Sequence, residues 1–358
     1  MRIFVFGTRG FPDIQGGVEQ HCENLYPLIA SDKYLITVFR RRPYISTNSR
    51  KFEDITFIDL PSTRIPGLEA FLHSFLCTIV CLFKRPDIIH IHNIGPGIFL
   101  PLLKLAGLKV VLTYHSPNYE HNKWSLIAKY FLKFGEILST KFADTVIFVS
   151  MFQMKKLGNK SNFVHINNGV KILPTLDNYD YIKNLGLERR KYILAVGRLV
   201  EEKGFEILIG SYSKIKQRGI SLVIAGATDH ETAYSVKLSN LAKLHNVVMA
   251  GLVRGEQLQQ LYSHARLFVL TSFNEGQPLT LLEAMSFHLP VVVSDIQANL
   301  QINLPSNNYF SVGNEQSLVE KINLQLESQF ETIKYDLTQY NWDQVAVQTK
   351  EVFQKLMK

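Results

Sequence analysis

Short runs of β-branched and aromatic residues alternate with longer helix-spaced segments along almost the whole chain, and this alternation narrows the fold more than any other feature. Ile3–Phe6, Ile36–Phe39, Ile88–Ile91, Val110–Tyr114 and Thr145–Val149 read as strands, and Glu19–Ile29, Leu68–Phe83 and Trp124–Phe142 as helices. The order strand, helix, strand is that of βαβ units, whose parallel sheet is buried on both faces. The pattern then restarts. Tyr192–Val196, Ser221–Ala225, Val247–Met249, Leu267–Leu270 and Pro290–Val293 form a second strand set, with Gly204–Gln217, Thr232–Leu244, Glu256–His264 and Leu279–Ser286 between them. At 358 residues the chain also exceeds one ordinary core, and two domains of roughly 150 to 200 residues are expected.

The expected architecture is α/β, with two tandem Rossmann-like, doubly wound domains facing across a cleft. The break falls near Ile172–Asp180, where Pro174 and a polar run interrupt the alternation. Residues 1–172 make the first domain and 173–341 the second. Trp342–Met357 spaces Trp342, Val345, Val352, Phe353 and Leu356 as an amphipathic helix. Its stripe has either domain to pack on.

Charge separates the two halves. Residues 1–172 carry 21 Lys/Arg against 12 Asp/Glu, a balance of +9; the remaining 18 against 19 give −1, which sums to the chain's +8. An anionic partner is therefore expected on the first half: nucleic acid, an anionic membrane surface or a lipid phosphate. Arg40-Arg41-Arg42 is its sharpest point. These arginines, with Arg9, Lys84 and Arg85, read either as solvated loop residues or as a face for anionic lipid or a lipid diphosphate acceptor. No RNA-binding signature accompanies them. The three cysteines, Cys22, Cys77 and Cys81, fit a reduced cytosolic compartment. The N-terminus has no secretory pattern. Leu68–Phe83 is shorter than the ~20 apolar residues of a span and contains Glu69 and His73, so it reads as a core helix.

In parallel-sheet domains ligand loops follow the strands. After the first strand come Gly7-Thr8-Arg9-Gly10 and then Gly16-Gly17-Val18-Glu19, which opens a helix. Paired glycines there let a phosphate reach backbone N–H groups, though a ligand-free turn has the same composition. It is not a G-x-G-x-x-G fingerprint. After Tyr192–Val196 come Gly197-Arg198 and Lys203-Gly204. That cationic pair suits a diphosphate and its departing charge; it equally suits two solvated cations beside Glu201 and Glu202. After Leu267–Leu270, Glu275 lies in a loop and Glu283 in a helix that starts near Pro278. Both carboxylates could accept hydrogen bonds from sugar hydroxyls.

The segment Glu275-Gly276-Gln277-Pro278-Leu279-Thr280-Leu281-Leu282-Glu283-Ala284 resembles the Glu-x7-Glu signature of retaining family 4 (group 1) glycosyltransferases. Nearly the whole chain follows that family's order: GTRGFP…GGVE, PDIIHIHN (86–93), TYHS (113–116), INNGV (166–170), GR…EKG (197–204), AG (225–226) and AGLV (250–253). The resemblance implies the GT-B fold, with 342–358 crossing back to the first domain. It also implies transfer of a hexosyl or deoxyhexosyl group from a nucleotide diphosphate sugar to a glycan or lipid-linked saccharide in surface polysaccharide or glycolipid biosynthesis. Glu283 would take the ribose hydroxyls, while Glu275, Gly276, Gln277, Pro278 and Leu279 would read the sugar. Arg198 and Lys203 would neutralise the diphosphate, with Gly16 and Gly17 amides closing on it. His115 would lie near the sugar ring, and Leu252 and Val253 would border the base. The family's usual proposal is front-face attack, in which the leaving phosphate takes the acceptor's proton. One departure stands out: Gly-Phe-Gly after the first Glu is here Gly276-Gln277-Pro278, so the sugar's identity is open.

No metal or other cofactor is expected, since there is no Asp-x-Asp. His73, Cys77 and Cys81 share a helix face but read as buried small residues without a fourth ligand. His90 and His92 read as sheet-end residues near the cleft, and Ser116 and Ser150 lack a nucleophile-elbow context. Two other functions stay in view. A nucleotide-sugar epimerase or a phosphorylase could use this fold, and so could a non-catalytic nucleotide-sugar-binding protein. The expected location is cytoplasmic, peripheral on the inner membrane face.

Overall fold

The computed structural model describes all residues except 46–50, 66, 118, 120–125, 159, 216–218 and 229–230. The chain divides into unit 1, Met1–Gly169 with Gln339–Lys358, and unit 2, Val170–Thr338. Trp124 and Gln217, which bound two expected helices, lie outside the described residues.

Unit 1 is built on strands β1 (Arg2–Phe6), β2 (Leu35–Arg41), β3 (Lys51–Phe52), β4 (Ile55–Leu60), β5 (Ile88–His92), β6 (Val110–Tyr114), β7 (Thr145–Phe148) and β8 (Phe163–His165). Their order is β3-β4-β2-β1-β5-β6-β7-β8, parallel except for the β3/β4 pair. Helices α1 (Gly17–Ile29), α2 (Leu68–Lys84), α3 (Leu100–Leu105), α4 (Leu126–Phe142) and α5 (Met151–Lys156) connect them. The strands β5 and β6 are buried at every residue, as a two-sided sheet demands.

Unit 2 follows the same plan. Its strands are β9 (Tyr192–Val196), β10 (Ser221–Ala225), β11 (Val248–Gly251), β12 (Leu267–Leu270), β13 (Val291–Ser294) and β14 (Tyr309–Phe310). They lie in the order β11-β10-β9-β12-β13-β14, with every pair parallel. Helices α6 (Asp180–Asn184), α7 (Phe205–Tyr212), α8 (Ala233–Leu244), α9 (Gly255–His264), α10 (Leu279–Ser286), α11 (Gln297–Leu300) and α12 (Glu315–Glu327) cover the sheet. Thus both units are Rossmann-like, and the strand order reverses once in each: between β1 and β5, and between β9 and β12.

The C-terminal helix α13 (Trp342–Met357) belongs to unit 1. Trp342, Val345, Ala346, Val352 and Phe353 join the core formed by Cys22, Leu25, Tyr26 and Ile29 of α1. Asn341 caps the helix through its side chain, which accepts from the Asp343 N–H. Gly169 admits the Trp342 ring: a Cβ there would lie 2.4 Å from it.

The helix α2 departs from the core-helix expectation. It buries His73, Ser74, Cys77, Thr78 and Cys81, while Leu68, Phe71, Phe75 and Phe83 remain exposed. No described helix is long and apolar enough to cross a membrane.

Replacing the buried Phe353 with Ala removes a ring from the α1/α13 core. The expected cost is about 3–5 kcal/mol, seen as a lowered urea midpoint for unit 1 with unit 2 unaffected. An unchanged midpoint would mean that α13 contributes little to unit 1.

Candidate functional site

In open parallel sheets the loops that follow the two strands beside the order reversal run to opposite faces and leave room for a ligand. In unit 2 those strands are β9 and β12. Gly197 and Arg198 follow β9, and a short 3-10 turn, Glu201–Lys203, follows them. Gly204 then adopts φ 62°, and a Cβ there would lie 2.4 Å from the Thr271 carbonyl oxygen. Glycine therefore lets the loop after β9 lie against the loop after β12. Thr271 Oγ1 donates to the Lys203 carbonyl at 2.8 Å, and the Phe273 N–H to the Glu202 carbonyl at 2.8 Å. These bonds tie the two loops together.

Across that seam Lys203 Nζ meets Glu275 Oε1 at 2.5 Å, and Ser272 Oγ donates to the same oxygen at 2.6 Å. The Ser272 carbonyl in turn accepts from Ser294 Oγ at the end of β13. One of the three N–H groups of the ammonium is thus given to Glu275. Pro278 is the residue before α10, and its carbonyl accepts from Leu281 and Leu282. It therefore stands one position earlier than a first-turn proline. Glu283 is held from the side: Tyr262 of α9 donates to Oε2 at 2.8 Å. Burial first, and then the Glu283 charge and hydrogen bond, push the Tyr262 phenol well above its ordinary pKa, so it remains the donor. After β11, Leu252 is exposed and Val253 buried.

Unit 1 repeats the arrangement at β1 and β5. Asn93, after β5, donates from Nδ2 to the Gly7 carbonyl at 3.1 Å. The loop after β1 is occupied by an internal ion pair. Arg9 Nη2 reaches Glu19 Oε2 at 3.2 Å, while Thr8 Oγ1 and the Arg9 N–H both donate to Oε1. Burial raises the Glu19 pKa, but the Arg9 charge and hydrogen bonds outweigh it and hold the carboxyl at about 2. A Cβ on Gly16 would lie 2.0 Å from Glu19 Oε2, so the glycine makes room for this pair. Gly17, the first residue of α1, is exposed.

Behind that loop lies a row of imidazoles. Tyr26 OH bridges His90 Nδ1 at 2.8 Å and His92 Nε2 at 2.6 Å. His92 Nδ1 and His115 Nε2 share a hydrogen bond of 2.9 Å, and His21 Nδ1 meets Asn168 Oδ1 at 2.7 Å. All four rings are buried.

The sequence profile of the glycosyl transferases group 1 matches residues 178–341, and that of glycosyltransferase family 4 matches residues 15–172. The chain belongs to the group 1, family 4 glycosyltransferases. Among its relatives, a Methanocaldococcus jannaschii glycosyltransferase, MJ1607, is 32% identical over 50% of this chain and 48% of its own length. The N,N'-diacetylbacillosaminyl-diphospho-undecaprenol alpha-1,3-N-acetylgalactosaminyltransferase of Campylobacter jejuni is 24% identical over 62% of this chain and 63% of its own. The chain spans about half to under two thirds of these relatives. The fold resembles that of sucrose-phosphate synthase from Thermosynechococcus elongatus, with a TM-score of 0.85, 19% identity and 99% of both chains covered. Anabaena HepE in complex with UDP and glucose gives 0.80 at 17% identity, again over 99% of both.

In unit 2 the structure brings Lys203 and Glu275 together and sets Arg198 on the same loop as Lys203, after β9. Glu283 stands on the adjoining helix. It corrects the basic face. Arg40 is only 1% exposed; its guanidinium donates to both oxygens of Asp59 and lies 3.9 Å from the centre of the Phe57 ring. Arg41 is buried beside Glu69 at 3.5 Å, and Arg9 is committed to Glu19. Three of the five arginines expected to meet an anionic partner, Arg9, Arg40 and Arg41, are therefore neutralised inside unit 1, while Arg42 and Arg85, like Lys84, are exposed. The reason is that β2 runs to Arg41, so Arg40 and Arg41 are strand residues and not a loop. His92 is the last residue of β5 and so stands at the sheet end, with His90 two residues before it in the strand; both are fully buried.

Two residues were not evident from the sequence: Tyr262, which holds Glu283, and His21, which joins the imidazole row. Tyr262 is one apolar residue of an amphipathic helix, with no local mark. His21 stands two residues after GGVE in α1, close enough to have been suspected. Ring nitrogens of His21, His92 and His115 lie within 4.8 Å of one another, the spacing of a candidate metal set. Both nitrogens of His92 are already engaged, however, with Tyr26 and His115. As it stands the cluster is a hydrogen-bonded stack.

Burial, against the Asn168 hydrogen bond, lowers the His21 pKa to about 4. Burial, reinforced by His21, lowers that of His90 to about 3. Burial likewise holds His92 and His115 well below their ordinary value, reinforced for His92 by His90, His115 and His21 and for His115 by His21 and His90. Each ring is neutral when folded and gains a proton on unfolding below about pH 6.5. Their contribution is complete above that pH and is lost as pH falls through the window toward about 4 for His21 and about 3 for His90. Unit 1 should therefore lose stability between about pH 7 and pH 5, by about 1.4 kcal/mol per pH unit for each proton taken up. Urea midpoints across that range check this. His21→Asn should flatten the slope, whereas a flat profile for the native chain would contradict buried neutral imidazoles.

Proposed function

We propose that the protein moves a sugar from a nucleotide diphosphate sugar to a glycan or lipid-linked saccharide acceptor, with retention at the anomeric carbon and without a metal. The observation that carries this reading is the pairing of Lys203 with Glu275 across the loops that follow β9 and β12, with Arg198 on one loop and Glu283 beyond the other. These loops flank the order reversal, where a nucleotide has room. Arg198 and Lys203 would neutralise the diphosphate as negative charge grows on it. Glu275, anchored by Ser272, would accept from sugar hydroxyls, and Glu283, anchored by Tyr262, from the ribose. Leu252 and Val253 would border the base.

In the proposed step the acceptor hydroxyl oxygen bonds to the anomeric carbon as the bond to the leaving phosphate breaks. The acceptor's proton passes to that phosphate oxygen on the same face, so no side chain has to serve as nucleophile. Pro278 has no N–H to offer the sugar, and Gln277 supplies an amide side chain where the family often has Phe. The sugar preferred here is therefore expected to differ from that of Gly-Phe-Gly relatives. Support for the donor class comes from Anabaena HepE, whose structures hold UDP or UDP-glucose. Support for a lipid-linked acceptor comes from the Campylobacter jejuni relative, whose name specifies a diphospho-undecaprenol substrate. For unit 1 the proposal is limited to the acceptor, received at the C-terminal ends of β1, β5 and β6.

Arg198→Ala and Lys203→Ala should each lower kcat/KM for transfer by about a hundredfold, with Glu283→Ala raising KM for the donor. Transfer is followed with a radiolabelled nucleotide sugar. Unchanged rates in both Arg198→Ala and Glu283→Ala would remove the site from consideration. Donor incubated alone should yield no new nucleotide sugar; an epimer appearing there would make the protein an isomerase.

A further inference from the structure

The helices α2 and α4 of unit 1 are inside out. Along α4 the buried residues are Gly135, Glu136, Ser139 and Thr140. The residues turned to solvent include Leu126, Ile127, Tyr130, Phe131, Phe134 and Ile137. Positions 127, 130, 131, 134 and 137 recur at three- and four-residue spacing, so they form one stripe. The buried four lie on the opposite side. Exposure is substantial: Ile127 83%, Leu126 74% and Tyr130 73%. An ordinary surface helix is arranged the other way round.

The inversion has a structural cause. Gly97, in the turn Gly95–Phe99, lies so close to α4 that a Cβ on it would fall 1.6 Å from Ser139 Oγ, and one on Gly135 would fall 2.7 Å from the Ile94 carbonyl oxygen. Only small residues fit at positions 135 and 139 of α4, where that turn crosses it. Ser139 Oγ bonds the Gly135 carbonyl, and Glu136 accepts from Tyr114 and Tyr119. Small and satisfied polar groups therefore suffice to dock α4, and its bulky apolar residues are left outside. On α2 the buried face is likewise of small or polar residues, His73, Ser74, Cys77, Thr78 and Cys81, with Phe71 and Phe75 outside.

The two exposed faces join. The Phe71 and Phe131 ring centroids lie 6.0 Å apart, and Phe71 and Phe75 both contact the Phe99 ring. The charged side chains that α4 exposes are cations, Lys133 and Lys141, with Lys129 half-exposed beside them; its one acid, Glu136, is buried. A broad apolar patch bordered by lysines, with Tyr130 offering a ring and a hydroxyl, matches the boundary between acyl chains and anionic headgroups.

We propose that unit 1 docks onto an anionic lipid bilayer through the exposed faces of α2 and α4. The occupant is a membrane surface, because the patch combines aliphatic and aromatic bulk with charge of one sign. This reading moves the membrane contact away from Arg9, Arg40 and Arg41, whose charges are spent inside the fold. It goes beyond the assignment of the donor site, on which it does not depend; its bearing on catalysis rests on the acceptor being lipid-linked.

The test is flotation of the full chain with vesicles of phosphatidylcholine alone or mixed with phosphatidylglycerol, at low and high salt. Binding to the anionic vesicles is expected. The double substitution Ile127→Glu, Phe134→Glu should lower the bound fraction by at least about tenfold. Lys133→Ala should weaken it by about fivefold. Leu244→Glu, at an exposed leucine of unit 2, serves as the control and should change nothing. Because all these side chains are exposed, the variants keep their thermal unfolding and their stabilisation by UDP; that second readout keeps a failure here distinct from a failure of the donor site. Absence of vesicle binding would overturn the proposal, as would binding that Ile127→Glu, Phe134→Glu leaves intact. So would a dimer, detected by sedimentation, that takes the place of vesicle binding and dissociates in the double variant.

Discussion

Everything functional in this chain depends on one constraint: a parallel sheet buried on both faces can offer ligands only the ends of its strands. Side chains within β5, β6 or β9 are enclosed, so chemistry has to reside in the loops beyond them. Where the strand order reverses, neighbouring loops leave in opposite directions. In unit 2 that gap is bordered by Lys203 and Glu275, and Gly204 is the residue whose missing side chain lets the two loops touch. The ion pair sets both charged groups before any ligand arrives. A phosphate entering would exchange one anionic partner of Lys203 for another, which lowers the cost of bringing charge into a partly buried position.

Unit 1 uses the same topology with a different filling. Its loop after β1 is closed on itself by Arg9 and Glu19, and the space behind is packed with hydrogen-bonded neutral imidazoles. Helix α13 completes that packing, with Trp342 5.5 Å from the His21 ring and Phe353 5.4 Å from that of His90. The C-terminal residues thus help to build the environment that keeps these rings uncharged.

Much of this was legible in the sequence. The strands Val110–Tyr114, Tyr192–Val196, Ser221–Ala225 and Leu267–Leu270 were readable to the residue, because uninterrupted β-branched runs bounded by turns have few other folds available. Two-residue strands such as Lys51–Phe52 and Tyr309–Phe310 were not, since two residues have no periodicity. Glu275, Glu283, Arg198 and Lys203 stood out through order and spacing. What spacing does not carry is partnership. Arg40 next to Arg41 and Arg42 reads as a basic cluster, yet Asp59 and Glu69, one strand or helix away, cancel two of the three charges. Likewise the apolar run Leu68–Phe83 reads as core, because hydrophobicity alone does not tell which face is buried. That depends on how closely a neighbouring backbone approaches, which for α4 is set by Gly97 and Gly135. Tyr262, separated from Glu283 by 21 positions, is beyond any local pattern.

The central claim is that unit 2 holds a nucleotide diphosphate through the loops after β9 and β12. Amide hydrogen exchange of the full chain with and without UDP addresses it directly. The account predicts slower exchange on adding UDP in residues 197–204 and 275–283, with protection weakened in Glu283→Ala and Lys203→Ala. Protection confined to unit 1, or protection in unit 2 that both substitutions leave untouched, would contradict it.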